Sequence, residues 1–101
     1  MQFGLKEDVA KQISAAIAQF AEIEKVIIYG SRAKGNYKLG SDIDLAVFGK
    51  SVTRQTIIRL SVKLDELELP WTFDILDYNS IGNADLKEHI DRVGQIFYEK
   101  G

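Results

Sequence analysis

Residues 30–44 read GSRAKGNYKLGSDID. The stretch leaves one run of β-formers and enters another, and these two runs set the kind of fold. Upstream, residues 25–29 (KVIIY) are rich in β-branched and aromatic side chains, which predicts a short strand ended by Gly30. Downstream, residues 42–48 alternate strictly. Ile43, Leu45 and Val47 fall on one side, and Asp42, Asp44 and Ala46 on the other, before Gly49 closes the strand.

Working outward, residues 6–20 read as a helix, with Val9, Ile13, Ala16, Ile17 and Phe20 at helical spacings. Residues 53–67 read as a second helix that carries Ile57, Leu60, Leu64 and Leu67 along one side and is broken by Pro70. Residues 71–76 (WTFDIL) return as a strand, residues 84–93 form a helix stopped by Gly94, and QIFYE after it forms a short fourth strand. Strands with helices between them predict an α/β chain of the α+β kind: a small mixed sheet with helices packed on one face and the other face partly open. Asp42 and Asp44 then point to the open face, because Ile43, Leu45 and Val47 must meet the helices.

Residues two apart on a strand stand roughly 6.5–7 Å apart at their Cα atoms. Carboxylates at that spacing can converge on one cation, or on two about 3.5–4 Å apart, as in two-metal phosphoryl transfer. Oxygen-only ligation suits Mg²⁺, with Mn²⁺ as the substitute, and does not suit zinc. Without a cation the two charges repel and each carboxyl is harder to ionise. Asp74 is the candidate third acid: if Phe73 and Ile75 pack on the helices, it shares the open face with Asp42 and Asp44. Asp77 falls past that strand and reads as a turn residue. Asp-x-Asp also arises as the wet face of a half-buried strand. Aspartate is depleted in strands, however, and three on one face ask for more than solvation.

The loop supplies the complementary chemistry. Gly30 lets backbone N–H groups approach an anion, and Ser31 adds a hydroxyl donor. A helix starting at residue 31 would aim its N-terminus at the same anion, and Arg32 and Lys34 add positive charge. Together these form a cradle for nucleotide phosphates, although a Gly-Ser pair after a strand also makes a plain chain reversal. Neither a Walker loop nor a dinucleotide-binding fingerprint is present. Ser41 reads as a cap or support for the strand start, and Gly35 and Gly40 as turn glycines. Tyr37 and Lys38 read as loop surface, Trp71 and Tyr78 as packing residues, and His89 as a partly exposed helix residue.

The totals bound what such a site can belong to. A chain of 101 residues predicts a single domain spanning 1–101, with an ordinary apolar fraction of 46%. A net charge of −2 argues against a general basic footprint for nucleic acid. The absence of cysteine excludes disulfides and Cys-based zinc sites and fits a cytoplasmic location. The first residues, MQFGLKEDVAKQ, do not read as a signal peptide, and no apolar run approaches the roughly 18 residues of a membrane helix.

Joined, loop and strand form G-S-x10-D-x-D, from Gly30-Ser31 to Asp42-Ile43-Asp44. This pattern resembles the nucleotidyltransferase superfamily that shares the palm-like fold of DNA polymerase beta. GSRAKG, SDIDL and the later LPWTFDILDY are similar to motifs of its minimal nucleotidyltransferases, the MNT family. The resemblance runs from about residue 20 to the C-terminus. It implies transfer of a nucleoside monophosphate, AMP from ATP, to an acceptor hydroxyl. By position, Gly30 and Ser31, with Arg32 and Ser41 beside them, would bind the nucleotide. Asp42 and Asp44 would hold two Mg²⁺ ions, and Asp74 would ligate the catalytic one and help activate the acceptor.

Larger relatives carry a further acceptor-presenting domain, for which this chain has no room. The resemblance therefore implies a partner: a HEPN-type protein from a neighbouring gene, in a homo- or hetero-oligomer, with a tyrosine of a HEPN toxin as acceptor. A non-catalytic antitoxin that masks its partner by contact, and a small-molecule nucleotidyltransferase of the aminoglycoside type, stay open as alternatives. No base preference is legible in the loop.

Overall fold

The computed structural model describes residues 3–35 and 42–101. Expectations for Tyr37, Lys38, Gly40 and Ser41 therefore lie outside the described residues. In chain order the elements are α1 (Glu7–Ala18), β1 (Lys25–Tyr29), α2 (Ser31–Lys34), β2 (Ile43–Phe48), α3 (Arg54–Asp65), β3 (Phe73–Asp77), a 3₁₀ turn (Tyr78–Ser80), α4 (Ala84–Val93) and β4 (Gln95–Glu99). Each segment predicted from periodicity is present, with ends displaced by a residue or two, where helices fray and strands lose their partners.

The four strands form one sheet in the order β3-β2-β1-β4. β1 runs antiparallel to both β2 and β4, while β2 and β3 are parallel. The parallel pair requires a crossover, and α3 supplies it. α3 starts on a capping box: Thr53 Oγ1 accepts from the Thr56 N–H, and Thr56 Oγ1 accepts from the Thr53 N–H.

α1 and α3 bury one face of the sheet. Ile13, Ala16 and Ile17 from α1 and Leu60 and Leu64 from α3 pack with Val26, Ile28, Ile43, Leu45 and Val47. This is the alternation read in the sequence: Ile43, Leu45 and Val47 are fully buried. The opposite face is partly open. α4 covers one portion of it by burying Ile90 with Tyr29 and Ala46. Gly94 allows that approach, because a Cβ there would strike the Ile90 carbonyl and the Ile27 side chain. The pairing of Ile27 with Ala46 and of Tyr29 with Asp44 puts these four residues on the partly open face.

Candidate active site

β2 and β3 are in register with Asp44 directly beside Asp74. Residues opposite one another in a ladder share a face, so two carboxylates meet across neighbouring strands. Asp74 is exposed and Asp44 half-buried. Asp42 stands one residue ahead of β2, exposed, and near enough for its charge to act on Asp44. The three acids singled out in the sequence are thus brought to one place. Asp77, expected past the strand, is instead the last residue of β3, opposite Val47, and it does serve the turn that follows: its carboxylate accepts from the Asn79 N–H at 3.1 Å and the Ser80 hydroxyl at 3.0 Å.

Burial pushes the Asp44 carboxyl above the ordinary carboxylate range, and the negative charges of Asp74 and Asp42 push it further, while His89 and Arg32 pull it back. The same crowding acts on Tyr29, whose phenol is raised by burial first and then by Asp74 and Asp44. A divalent cation would relieve this repulsion, and the donors are all carboxylate oxygens, so the residues fit a hard cation. Among the described residues, no trio of His, Cys, Asp or Glu is closed tightly enough to hold an ion. The acids are aligned in register rather than converged.

Gly30 ends β1 with φ 77° and ψ −153°, a region that is essentially glycine-only. A Cβ at this position would collide with the Asp44 carboxylate. The glycine therefore has two reasons to be there: the turn into α2, and the closeness of the loop backbone to the second acid. Ser31 opens α2, half-buried.

Arg32 is placed differently from what its charge suggested. It is 2% exposed, its Nη1 donates to the Phe3 carbonyl at 2.7 Å, and its guanidinium lies 5.4 Å from the centre of the Trp71 ring. The guanidinium is engaged inside the molecule, with a charge still felt at Asp44.

Two residues of the site were not picked out from the sequence. Tyr29 is the register partner of Asp44 and is 6% exposed. Strand parity could have revealed it, since it lies two residues from Ile27 on the face opposite Val26 and Ile28. His89 reaches the site from α4. Its ring meets Tyr29 edge-on, with centroids 6.2 Å apart, and its charge acts on Asp44. No local signal marks His89, because its position depends on how α4 docks. Two surface hollows among the described residues, about 460 Å³ beside Phe20, Ile58 and Val62 and about 570 Å³ beside Lys25, Phe48 and Lys100, lie away from the acids. The acid row occupies an open face instead.

Comparison with known proteins agrees with this geometry. The family model described as polymerase beta, nucleotidyltransferase matches residues 11–101. The chain is 30% identical to the probable protein adenylyltransferase MntA of Haemophilus influenzae over 103 aligned residues, covering 98% of this chain and 87% of that protein. Among solved structures, a toxin–antitoxin complex with AMP-PNP superposes with a TM-score of 0.74 at 19% identity, over 90% of this chain and 73% of that one. A complex of the tri-AMPylated Shewanella oneidensis HEPN toxin with its MNT antitoxin superposes with a TM-score of 0.56 at 16% identity, over 90% and 73% of the two chains.

Proposed function

The chain belongs to the polymerase beta nucleotidyltransferase family, and we propose that it transfers AMP from ATP to a hydroxyl, a tyrosine of a HEPN-type partner protein. The observation that carries this reading is the register of Asp44 against Asp74, with Gly30 pressed against the Asp44 carboxylate. It puts a backbone suited to phosphate against an acid row suited to cations. The likeness to a protein adenylyltransferase supports the choice of nucleotide and of a protein acceptor. The solved complex of an AMPylated HEPN toxin supports the partner class.

In this reading the Gly30–Ser31 turn receives the triphosphate. Asp42, Asp44 and Asp74 would hold Mg²⁺ ions, which supply the charge neutralisation that phosphoryl transfer demands. The acceptor oxygen attacks the α-phosphorus, the α–β phosphoanhydride bond breaks, and pyrophosphate departs with the electron pair. Asp74, exposed on β3 beside Asp44, takes the hydroxyl proton. Tyr29 and His89 wall the site on the side of α4 and limit water there. The open face leaves the acceptor to a second protein, which is why the active assembly is an oligomer. No helix among the described residues is long and apolar enough to cross a membrane. The proposed transfer draws on ATP and is placed in the cytoplasm.

The test is transfer of label from α-³²P-ATP with Mg²⁺, with and without the product of the adjacent gene. Label on a partner tyrosine, lost in the Asp42→Asn/Asp44→Asn double variant while the complex persists, is the expected result. A double variant that still neutralises its partner would replace the proposal with masking by contact. Label on an aminoglycoside-type small molecule by this chain alone would replace the acceptor.

A further inference from the structure

α2 is a single turn of four residues, Ser31–Lys34. One turn does not hold itself in water, because fixing it requires several dihedrals for very few hydrogen bonds. Its own bonds run from the Lys34 N–H to the Gly30 carbonyl at 3.2 Å and from the Gly35 N–H to the Ser31 carbonyl at 3.0 Å. The Ala33 carbonyl belongs to the end of the helix that has no donor within it. Gln95, at the start of β4, supplies one: its Nε2 donates to the Ala33 oxygen at 2.8 Å, across 62 residues of sequence. Only the amide nitrogen can face a carbonyl, so the chemistry fixes which end of the Gln95 amide points there.

A second tie leaves the same turn from the other side. Arg32 donates to the Phe3 carbonyl at 2.7 Å and stacks over Trp71, just ahead of the strand that carries Asp74. Phe3 in turn packs on Phe97 of β4, with ring centroids 6.3 Å apart. The ties close into a ring: α2 to Phe3 through Arg32, Phe3 to β4 through Phe97, and β4 back to α2 through Gln95.

We propose that Gln95 and Arg32 are positioning residues, a two-point clasp that sets where Gly30 and Ser31 stand relative to the acid row without touching the nucleotide. The consequence for catalysis rests on the function proposed above, whereas the mechanical part stands on the hydrogen bonds alone. Arg32 would then act through the loop rather than as a phosphate ligand. Gln95, in the last strand, would act on a turn at the far end of the chain.

Gln95 is the safe probe because its residue is exposed and its loss leaves the core intact. In the full chain, Gln95→Ala should speed amide exchange at Lys34 and Gly35 roughly fivefold, the ratio that loss of one neutral hydrogen bond corresponds to. Gln95→Glu, the same shape but an acceptor when ionised, should do the same. Lys100→Ala removes a different tie of this end of the chain, from Nζ to the Ala21 carbonyl, and should leave both amides at the wild-type rate. Arg32→Lys keeps the charge, loses the planar fork, and should behave as the Gln95 variants do. With ATP, the Gln95 variants should raise KM severalfold with kcat within about twofold, the pattern of lost uniform binding. Unchanged exchange in both Gln95 variants, or equal acceleration in Lys100→Ala, would overturn the clasp. Faster exchange with an unchanged KM would overturn its role in positioning. A wild-type protein that binds no nucleotide would sink the proposed function, while the exchange data would still decide the clasp.

Discussion

Gly30 and Asp44 cannot be varied independently, since the space a side chain would need at residue 30 is filled by the carboxylate of residue 44. Gly30→Ala meets that collision and a φ of 77° together. It should cost on the order of 1–3 kcal/mol in chemical denaturation, the price of a strained backbone, and should abolish transfer. Asp44→Asn should separate stability from activity. The Asp44 carboxyl is held above its ordinary value of 3.8 in the folded protein, so its ionisation works against the fold. The favourable contribution is whole below that ordinary value and is lost as pH rises through the raised one. The metal-free variant should therefore melt a few degrees above wild type at neutral pH, with no gain below the ordinary value. Calorimetry across pH checks this, and Mg²⁺ should raise the melting point of wild type more than that of the variant.

At the scale of elements, α3 and α4 divide stability and function between them. α3 stabilises by crossing over from β2 to β3, and its capping box fixes where the crossover starts. Thr53→Ala should cost about 1 kcal/mol in urea unfolding and leave transfer intact, because this cap lies on the helical side of the sheet. α4 has a different task. It rests on the open face through Ile90, which is fully buried, and carries His89 to the ring of Tyr29. Ile90→Ala should cost roughly 2–5 kcal/mol, as truncation of a buried isoleucine does, and should also free the His89 ring from Tyr29. Histidine NMR shifts in the variant report that release.

For the whole molecule, the two faces of the sheet have opposite fates. One is sealed by α1 and α3, and the other presents the acid row, with α4 walling part of it. In the proposed reaction, an acceptor hydroxyl would reach Asp74 from that side. A bound partner should therefore slow amide exchange in β3 and α4 and leave α1 at its free-chain rates, which exchange mass spectrometry of the complex would read. Protection confined to α1 and α3 would place the partner on the wrong face for transfer.

Much of this architecture can be read locally. Alternation in residues 42–48 assigns Ile43, Leu45 and Val47 inward because a strand has only two sides, and the helical spacing in residues 6–20 assigns Ile13 and Ile17 to the core in the same way. The shared face of Asp42, Asp44 and Asp74 follows from the same parity, and the turn at Gly30-Ser31 follows from its place after a strand. What no local pattern contains is the pairing of one element with another. That Asp44 stands beside Asp74, and neither one residue before it nor one after, is a matter of register, set by the crossover and by the packing of α3. The docking of α4 brings His89 to Tyr29, and the ring of contacts through Phe3 and β4 turns Arg32 inward and gives Gln95 a task at α2. Which residues share a face was legible in the chain alone, because side-chain direction along a strand or helix is a property of the backbone period. Which of them meet was settled by packing, because contacts between residues far apart in the chain depend on how whole elements dock.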